Sequence, residues 1–244
     1  MQIQEHNWYS ASLNRNMPLK IYGHAGKPCL VIPSQNGKHN DFEGFGMVEA
    51  CRSWIDAGKL QLFCIDTIDE ETVSCTWGDP RQRIEQHERW VQYIMQDVVP
   101  MMEQYGGGQK CMTVGCSMGA YHAGNLFFRF PDRFNATICL SGVYDVTTML
   151  NGYMDGLVYL NSPYHCLQNM PEDHPYMELY RQSNAYICVG QGAWEDELLE
   201  DTRKLDWVLK SRNIPVFVDY WGYDVNHDWD WWRIQIQYFL GKFL

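Results

Sequence analysis

The sequence predicts an α/β fold, in which a mostly parallel β-sheet has helices on both faces, and three observations support it. Short apolar segments alternate with longer segments whose apolar residues recur at helical spacing. Parallel strands need a crossover between them, usually a helix, so this alternation is typical of a parallel sheet. An N-terminal pair of strand-like segments adds an antiparallel hairpin at one edge. The length of 244 residues suits one domain, and we treat residues 1–244 as a single unit.

Eight strands are predicted as short apolar segments bounded by proline, glycine or polar residues. The first two, residues 7–13 and 18–22, form the hairpin and are joined at residues 14–16. The segment PCLVIP, residues 28–33, is typical of a strand buried on both faces. The remaining strands are predicted at 60–65, 110–114, 136–140, 186–189 and 216–221.

Helices are predicted between these strands at 44–58, 83–102, 120–130, 196–212 and 228–242. The clearest is 83–102, where apolar residues recur every three or four positions and Pro100 or Gly106 ends the pattern. Residues 145–182 show no clear period, and we interpret them as an irregular segment. This segment follows a strand whose carboxyl end lies where ligands bind in open α/β sheets, so we expect it to border the substrate pocket.

The composition excludes two classes of partner. The formal net charge is −11, and such a field repels phosphate backbones, so no nucleic-acid partner is expected. No segment approaches the ~18 consecutive apolar residues of a membrane helix, so no membrane association is expected. The first residues, MQIQEHNWYS, have neither the basic nor the apolar region of a signal peptide.

The nine cysteines are odd in number and scattered, which indicates a reducing compartment. Reduced cysteines are usually small core residues. We therefore expect a cytoplasmic protein, and the sequence is compatible with a homo-oligomer. The cysteines that lie in or beside predicted strands are Cys29, Cys64, Cys111, Cys139 and Cys188.

The motif GCSMG at residues 115–119 carries the predicted chemistry. It matches G-x-S-x-G, in which a serine stands on a sharp turn from a strand to a helix and exposes its oxygen above the sheet. The strand KCMTV leads into the motif and the small-residue helix AYHAG leads out of it. This context predicts an α/β-hydrolase fold with Ser117 as nucleophile and the backbone N–H of Met118 as an oxyanion donor.

A serine nucleophile needs a base, and in this fold the triad follows the order Ser, acid, His. Of the histidines well beyond Ser117, only His227 follows the last predicted strand, where it could reach back over the strand ends. His165 and His174 lie in the irregular segment instead. We therefore predict His227 as the base.

The acid should follow the strand at 186–189, where the loop reads GQGAWEDE. Glu195 and Asp196 are both candidates, and the residues alone separate them poorly. Carboxylates at a helix N-terminus are also common for electrostatic reasons alone.

These segments together resemble the esterase D-like family of α/β-hydrolases, which includes S-formylglutathione hydrolase, enterochelin esterase, feruloyl esterase and mycolyltransferase relatives. The resemblance covers nearly the whole chain. It rests on SLNRNMPLKIYG, VIPSQNGKHNDFEGFGM, TVGCSMGAYHA, VGQGAWEDE and YDVNHDWDWWRIQIQYFL.

The resemblance implies a fold without a large cap domain, and acyl-ester chemistry. It also implies that the backbone N–H of Gln35 is the second oxyanion donor, although Pro33-Ser34 stands where the family usually has His-Gly. In the mycolyltransferases the acid stands six residues past the glycine that ends the strand. That position corresponds to Asp196 here, and Glu195 stays the alternative.

The expected function is that of a serine carboxylesterase acting on a small-molecule ester through an acyl-enzyme. An acyltransferase or thioesterase of the same fold, or a non-catalytic binding protein on this scaffold, stays open. No cofactor or metal is expected. The glycines before Glu195 lack the third glycine of a dinucleotide site, and the carboxylates around His227 lack a metal-binding helix motif.

Aromatic residues cluster around His227, and their spacing divides them. Trp229 and Trp232 follow the helical pattern of the last helix, so we predict that they are core residues. Tyr223 falls outside that pattern and lies in the same loop as His227. We therefore predict that Tyr223 contacts the substrate.

Overall fold

The computed structural model describes residues 1–244 and contains one sheet of eight strands in the order β1-β2-β4-β3-β5-β6-β7-β8. β1 pairs with β2 and β2 with β4 in antiparallel orientation, whereas all other neighbours are parallel. The sheet is therefore mostly parallel with an antiparallel N-terminal edge, as the sequence predicts. The strands are β1 (Ile3–Ser10), β2 (Arg15–Tyr22), β3 (Lys27–Ile32), β4 (Leu60–Ile65), β5 (Cys111–Cys116), β6 (Phe134–Leu140), β7 (Asn184–Val189) and β8 (Val216–Tyr220).

Helices connect the strands and lie on both faces of the sheet. They are α1 (Asp41–Gly44), α2 (Met47–Ala50), α3 (Arg52–Asp56), α4 (Pro80–Tyr93), α5 (Val99–Tyr105), α6 (Met118–Arg129), α7 (Gly156–Leu160), α8 (Pro163–Asn169), α9 (Tyr176–Arg181), α10 (Asp196–Ser211) and α11 (Trp229–Phe243). None of them combines the length and the apolar character that crossing a membrane requires.

The N-terminal hairpin begins earlier than predicted. β1 starts at Ile3, and the turn lies between Ser10 and Arg15, with Asn14 in the left-handed region at φ 52°. β1 is an edge strand whose residues are largely polar, so its apolar alternation is weak in the sequence.

Two predicted helices are interrupted. The segment predicted as one helix at 44–58 contains the end of α1 and the short helices α2 and α3. Gly46, in a left-handed conformation at φ 77°, separates α1 from α2, and Cys51 separates α2 from α3. The helix predicted at 83–102 extends from α4 through a π-helical turn, Ile94–Val98, into α5. Pro100 does not end it, because this proline stands in the first turn of α5, where proline is tolerated, and α5 ends before Gly106.

The prediction of an irregular segment at 145–182 is wrong. The segment contains a 3₁₀ turn, Val146–Leu150, followed by α7, α8 and α9. Each helix is only one or two turns long, so none produces the repeated apolar spacing that marks a longer helix.

The core is divided by the sheet, because successive residues of a buried strand point to opposite faces. In β3, Leu30 and Ile32 pack on the face covered by α4 to α6, whereas Cys29 and Val31 pack on the face covered by α11 and the short helices after β3. All five cysteines in or beside predicted strands are buried, and burial raises their thiol pKa values. They are inert core residues.

His87 of α4 is a buried titratable group without a hydrogen-bond partner on either ring nitrogen. Its ring stacks on His122 of α6, with 5.3 Å between the ring centroids. Burial, together with the charge of His122, lowers the pKa of His87 to about 3. The folded protein therefore favours the neutral form of this histidine.

We expect His87→Leu to reduce the acid sensitivity of the fold. Between the ordinary histidine pKa of ~6.5 and the lowered value, the unfolded chain binds a proton at His87 that the folded chain does not, so stability falls as the pH falls. The variant should remove up to ~1.4 kcal/mol per pH unit of this slope, without loss at pH 8, since it also removes two unpaired nitrogens. Urea unfolding between pH 8 and pH 4 measures both effects.

Gln92 on the exposed side of α4 provides the control, because Gln92→Leu removes no titratable group and should leave the pH dependence of the wild type unchanged. An unaltered slope in His87→Leu would show that His87 does not contribute to acid unfolding.

Candidate active site

Ser117 stands in the sharp turn between β5 and α6, at φ 58° and ψ −124°. Few residues other than glycine adopt such a conformation, and it survives where the surrounding structure enforces it. Two glycines make the turn feasible. A Cβ atom on Gly115 would lie 2.1 Å from the carbonyl oxygen of Gly119, and one on Gly119 would lie 2.3 Å from that of Ile32. The spacing of the GCSMG motif is therefore a packing requirement.

His227 lies in the loop between β8 and α11, and its Nε2 atom is 2.9 Å from Ser117 Oγ. The backbone N–H of His227 donates to the carbonyl oxygen of Ala193 at 3.0 Å, which fixes the loop to the one after β7. The imidazole also packs edge-on against Trp232, with 4.8 Å between the ring centroids. The structure thus brings together the predicted nucleophile and the predicted base.

The carboxylate beside His227 belongs to Glu195 and not to Asp196. Glu195 Oε2 lies 3.4 Å from His227 Nδ1, and Glu195 is completely buried. Asp196 is exposed as the first residue of α10. The expectation of Asp196 at this position fails because the chain turns at Trp194, φ 67°, which leaves the residue before the helix facing inward.

Two further residues hold Glu195. Ser141 Oγ donates to Glu195 Oε1 at 2.6 Å, and Trp232 Nε1 donates to Ser141 Oγ at 3.2 Å. A buried carboxylate is costly without such donors. Ser141 was absent from the sequence reasoning, although its place directly after β6 put it at the carboxyl edge of the sheet, where it could have been found.

Two backbone N–H groups next to Ser117 are available to an oxyanion. Met118 begins α6, so its N–H has no acceptor within the helix. Gln35 lies in a turn closed by the bond from Gly37 N–H to the carbonyl oxygen of Ser34, 2.9 Å. Gln35 lines the same hollows as Ser117, so the structure brings both predicted donors to the nucleophile's side of the sheet.

Ser117 and His227 open into two hollows. The larger hollow has a volume of about 540 Å³, and the smaller one has a volume of about 350 Å³. The larger hollow is lined by residues that include Gln35, Met118, Met149, Trp194, Asp196 and Leu198. The smaller hollow is lined by residues that include Ser34, Gln35, Asp228, Trp229 and Trp232.

Thr148 and Met149 are the only residues of the segment 145–182 that line the larger hollow. They belong to the 3₁₀ turn after β6, whereas α8 packs on α6 and α10. The segment therefore borders the site through its first turn, and most of it is packed structure.

The aromatic residues are arranged differently from the prediction. Trp232 is buried, as expected for a core residue, but Trp229 is half-buried, stacks on Phe45 and lines the smaller hollow. Tyr223, 82% exposed, lines neither hollow. Trp194, 86% exposed, lines the larger hollow instead, because its loop after β7 also carries Glu195.

Residues 10–243 match the model of a protein family described as "Putative esterase". The chain belongs to this esterase family. The family match confirms the resemblance that the five sequence segments indicated, and it makes the protein a hydrolase of the esterase type. No relative among curated proteins matches the sequence.

Solved structures of similar fold cover nearly the whole esterase chain. An S-formylglutathione hydrolase from Agrobacterium tumefaciens has a TM-score of 0.77 at 14% identity, covering 98% of this chain and 93% of its own. MPT51 from Mycobacterium tuberculosis has a TM-score of 0.74 at 14% identity, and the match covers 99% of this chain and 97% of MPT51. The ferulic acid esterase AmCE1/Fae1A from Anaeromyces mucronatus has a TM-score of 0.68 at 11% identity, and the match covers 98% of this chain and 88% of that esterase. These likenesses establish the α/β-hydrolase fold.

We expect Glu195→Gln to lower the kcat of the esterase by about a thousandfold, because an amide facing His227 Nδ1 favours the wrong imidazole tautomer. Asp196→Asn, its neighbour and matched control, should change kcat by less than about tenfold, since Asp196 does not contact His227. Hydrolysis of p-nitrophenyl acetate by both variants measures the difference. A large loss of kcat in Asp196→Asn with a small one in Glu195→Gln would instead identify Asp196 as the acid.

We expect Trp194→Ala to change kcat/KM for p-nitrophenyl esters by roughly three- to tenfold, through loss of an aromatic contact in the larger hollow. Tyr223→Ala, which removes a similarly exposed aromatic side chain that lines neither hollow, should leave kcat/KM within about twofold. Both variants should melt like the wild type. A larger kinetic effect in Tyr223→Ala would contradict the assignment of the pocket wall.

Proposed function

We propose that this esterase is a serine carboxylesterase that cleaves a small-molecule ester through an acyl-enzyme on Ser117. The observation that carries the proposal is the 2.9 Å approach of His227 Nε2 to Ser117 Oγ, with Glu195 on the opposite side of the imidazole. A serine hydroxyl becomes a nucleophile when a base in this position removes its proton.

In the first half-reaction Ser117 Oγ attacks the ester carbonyl carbon while His227 Nε2 takes the proton. The oxyanion that forms accepts hydrogen bonds from the backbone N–H groups of Met118 and Gln35. Glu195 holds the imidazole in orientation and stabilises its positive charge. His227 then gives the proton to the leaving alkoxide, and the acyl group stays on Ser117.

In the second half-reaction water attacks the acyl-enzyme. His227 removes a proton from the water as it adds to the carbonyl, then returns a proton to Ser117 Oγ as the acid leaves. Ser117 and His227 are each partly exposed, so water has access to the acyl carbonyl. The two hollows suit the two parts of an ester, the acyl group and the alcohol.

The same hollows also suit transfer of the acyl group to an alcohol or cleavage of a thioester. Acyl transfer differs from ester hydrolysis in the nucleophile that attacks the acyl-enzyme, and thioester cleavage differs in the leaving group. In each case that group would occupy the second hollow. p-Nitrophenyl esters of increasing acyl length, with and without an acceptor alcohol, and matching thioesters separate the three activities. An acyltransferase would turn over appreciably faster with acceptor and accumulate a new ester, which a carboxylesterase would not.

We expect Ser117→Ala to lower the turnover of p-nitrophenyl acetate at least a thousandfold and to abolish labelling by a fluorophosphonate probe, because both reactions need the serine oxygen. Ser211→Ala removes the hydroxyl of an exposed serine at the far end of α10 and should match the wild type. Retention of more than a few per cent of the activity in Ser117→Ala would refute the assignment. An unreactive wild type would instead indicate a binding protein.

A further inference from the structure

A buried carboxylate outside the triad links the two sides of the predicted oxyanion hole. Asp69 lies in the 3₁₀ turn Asp69–Glu71 after β4 and is 1% exposed. Its Oδ2 atom accepts from the backbone N–H of Asn36 at 3.1 Å, and its Oδ1 atom lies 2.8 Å from His122 Nε2. One carboxylate thus contacts two separate elements of the site.

The first contact fixes the loop that presents Gln35. Asn36 is the next residue after Gln35 and takes a left-handed conformation at φ 59°. Its side-chain oxygen accepts from Ser74 Oγ at 2.6 Å, and the carbonyl oxygen of Gly37 accepts from Thr67 N–H at 3.2 Å. Asp69 is the only acceptor for the N–H of Asn36, so loss of this carboxylate would remove one of the hydrogen bonds that fix the loop and let the peptide of Gln35 shift.

The second contact fixes the helix that presents Met118. His122 lies one helical turn after Met118 on α6, and it is 1% exposed. Its Nδ1 atom has no hydrogen-bond partner, so Asp69 is the only polar partner of the ring. His87 stacks on the imidazole and Trp90 packs against it at a tilt, with centroid distances of 5.3 Å and 4.8 Å, and these contacts restrict the ring.

We propose that Asp69 is a positioning residue that holds the N–H groups of Gln35 and Met118 at the separation an oxyanion requires. This role rests on the proposed function, because it assigns those two N–H groups to the oxyanion. Asp69 does not touch the reacting atoms; it acts through Asn36 on one side and His122 on the other.

A carboxylate suits this task because its two oxygens accept from two different donors at once. Burial by itself would raise the pKa of Asp69, but the facing His122 and the hydrogen bond from Asn36 lower it below its ordinary value. The group therefore stays ionised, and both contacts are charge-assisted.

The test uses Asp69→Ala, which removes both acceptors, and Asp69→Leu, which removes both acceptors but keeps about the size of the side chain. We expect kcat per active site to fall about ten- to a hundredfold with KM within about threefold, since misplacement by about an ångström costs this much. The inhibition constant of a trifluoromethyl ketone, whose adduct places an oxyanion in the hole, should rise by a similar factor. Active sites are counted by fluorophosphonate labelling, so partial unfolding does not enter the kcat.

Glu88→Gln is the matched control. Glu88 binds Arg129 at the other end of α6, at 3.0 Å and 3.1 Å, and does not contact the oxyanion loop. This variant should lower the melting temperature and leave kcat and the affinity for the ketone unchanged. A merely structural role for Asp69 predicts the same pattern in the Asp69 variants, and that result would overturn the proposal.

If neither Asp69 variant folds, His122→Leu decides the question, because it keeps the bond from Asn36 N–H to Asp69 and removes only the hydrogen bond between Asp69 and α6. A loss of ketone affinity in that variant supports the proposal, and wild-type affinity overturns it. The proposed function fails independently, if wild-type protein neither hydrolyses p-nitrophenyl esters nor reacts with the fluorophosphonate, and the role of Asp69 then fails with it.

Discussion

The structure depends on the close approach of the backbone at the start of α6 to the ends of β3 and β5. Gly115 and Gly119 leave no room for a Cβ atom, so the turn between them holds Ser117 in a conformation that is otherwise unfavourable. This contact determines where the serine oxygen points, and it places the first N–H of α6 beside the loop after β3. The other parts of the site are arranged around that fixed point.

Parallel strands bring the remaining residues to it, because their carboxyl ends share one edge of the sheet. The loops after β3, β6, β7 and β8 supply Gln35, Ser141, Glu195 and His227, which are far apart in the sequence. The loop after β7 and the loop after β8 are also joined directly, through the bond from His227 N–H to Ala193. The position of the histidine therefore depends on the loop that carries its carboxylate.

Two buried carboxylates near this edge each bind donors from other elements of the fold. The Glu195 carboxylate accepts a hydrogen bond from Ser141, whose oxygen accepts one from Trp232. The Asp69 carboxylate is hydrogen-bonded to Asn36 N–H and to the His122 ring. Groups of this kind are expensive when they lose a partner, so each network resists rearrangement and keeps its site residues in place. His87 is an exception, since both of its nitrogens lack partners and burial lowers its pKa.

The sequence by itself determined the order of the eight strands and of the longer helices, and it pointed to Ser117 and His227, because apolar period, glycine spacing and chain order are local or sequential properties. It left Glu195 and Asp196 undecided in the loop, and the mycolyltransferase spacing pointed to the wrong one of the pair for contact with His227. Neighbouring residues in a loop differ only in the direction of their side chains, and that direction depends on the turn at Trp194 and on packing against Ser141. Tyr223, Trp194 and Asp69 show the same limit. Only the assembled fold decides which side chains are exposed and which line a pocket. It also decides the contacts between residues far apart in the sequence, such as Asn36 and Asp69, because these contacts form when the strands assemble and their loops meet.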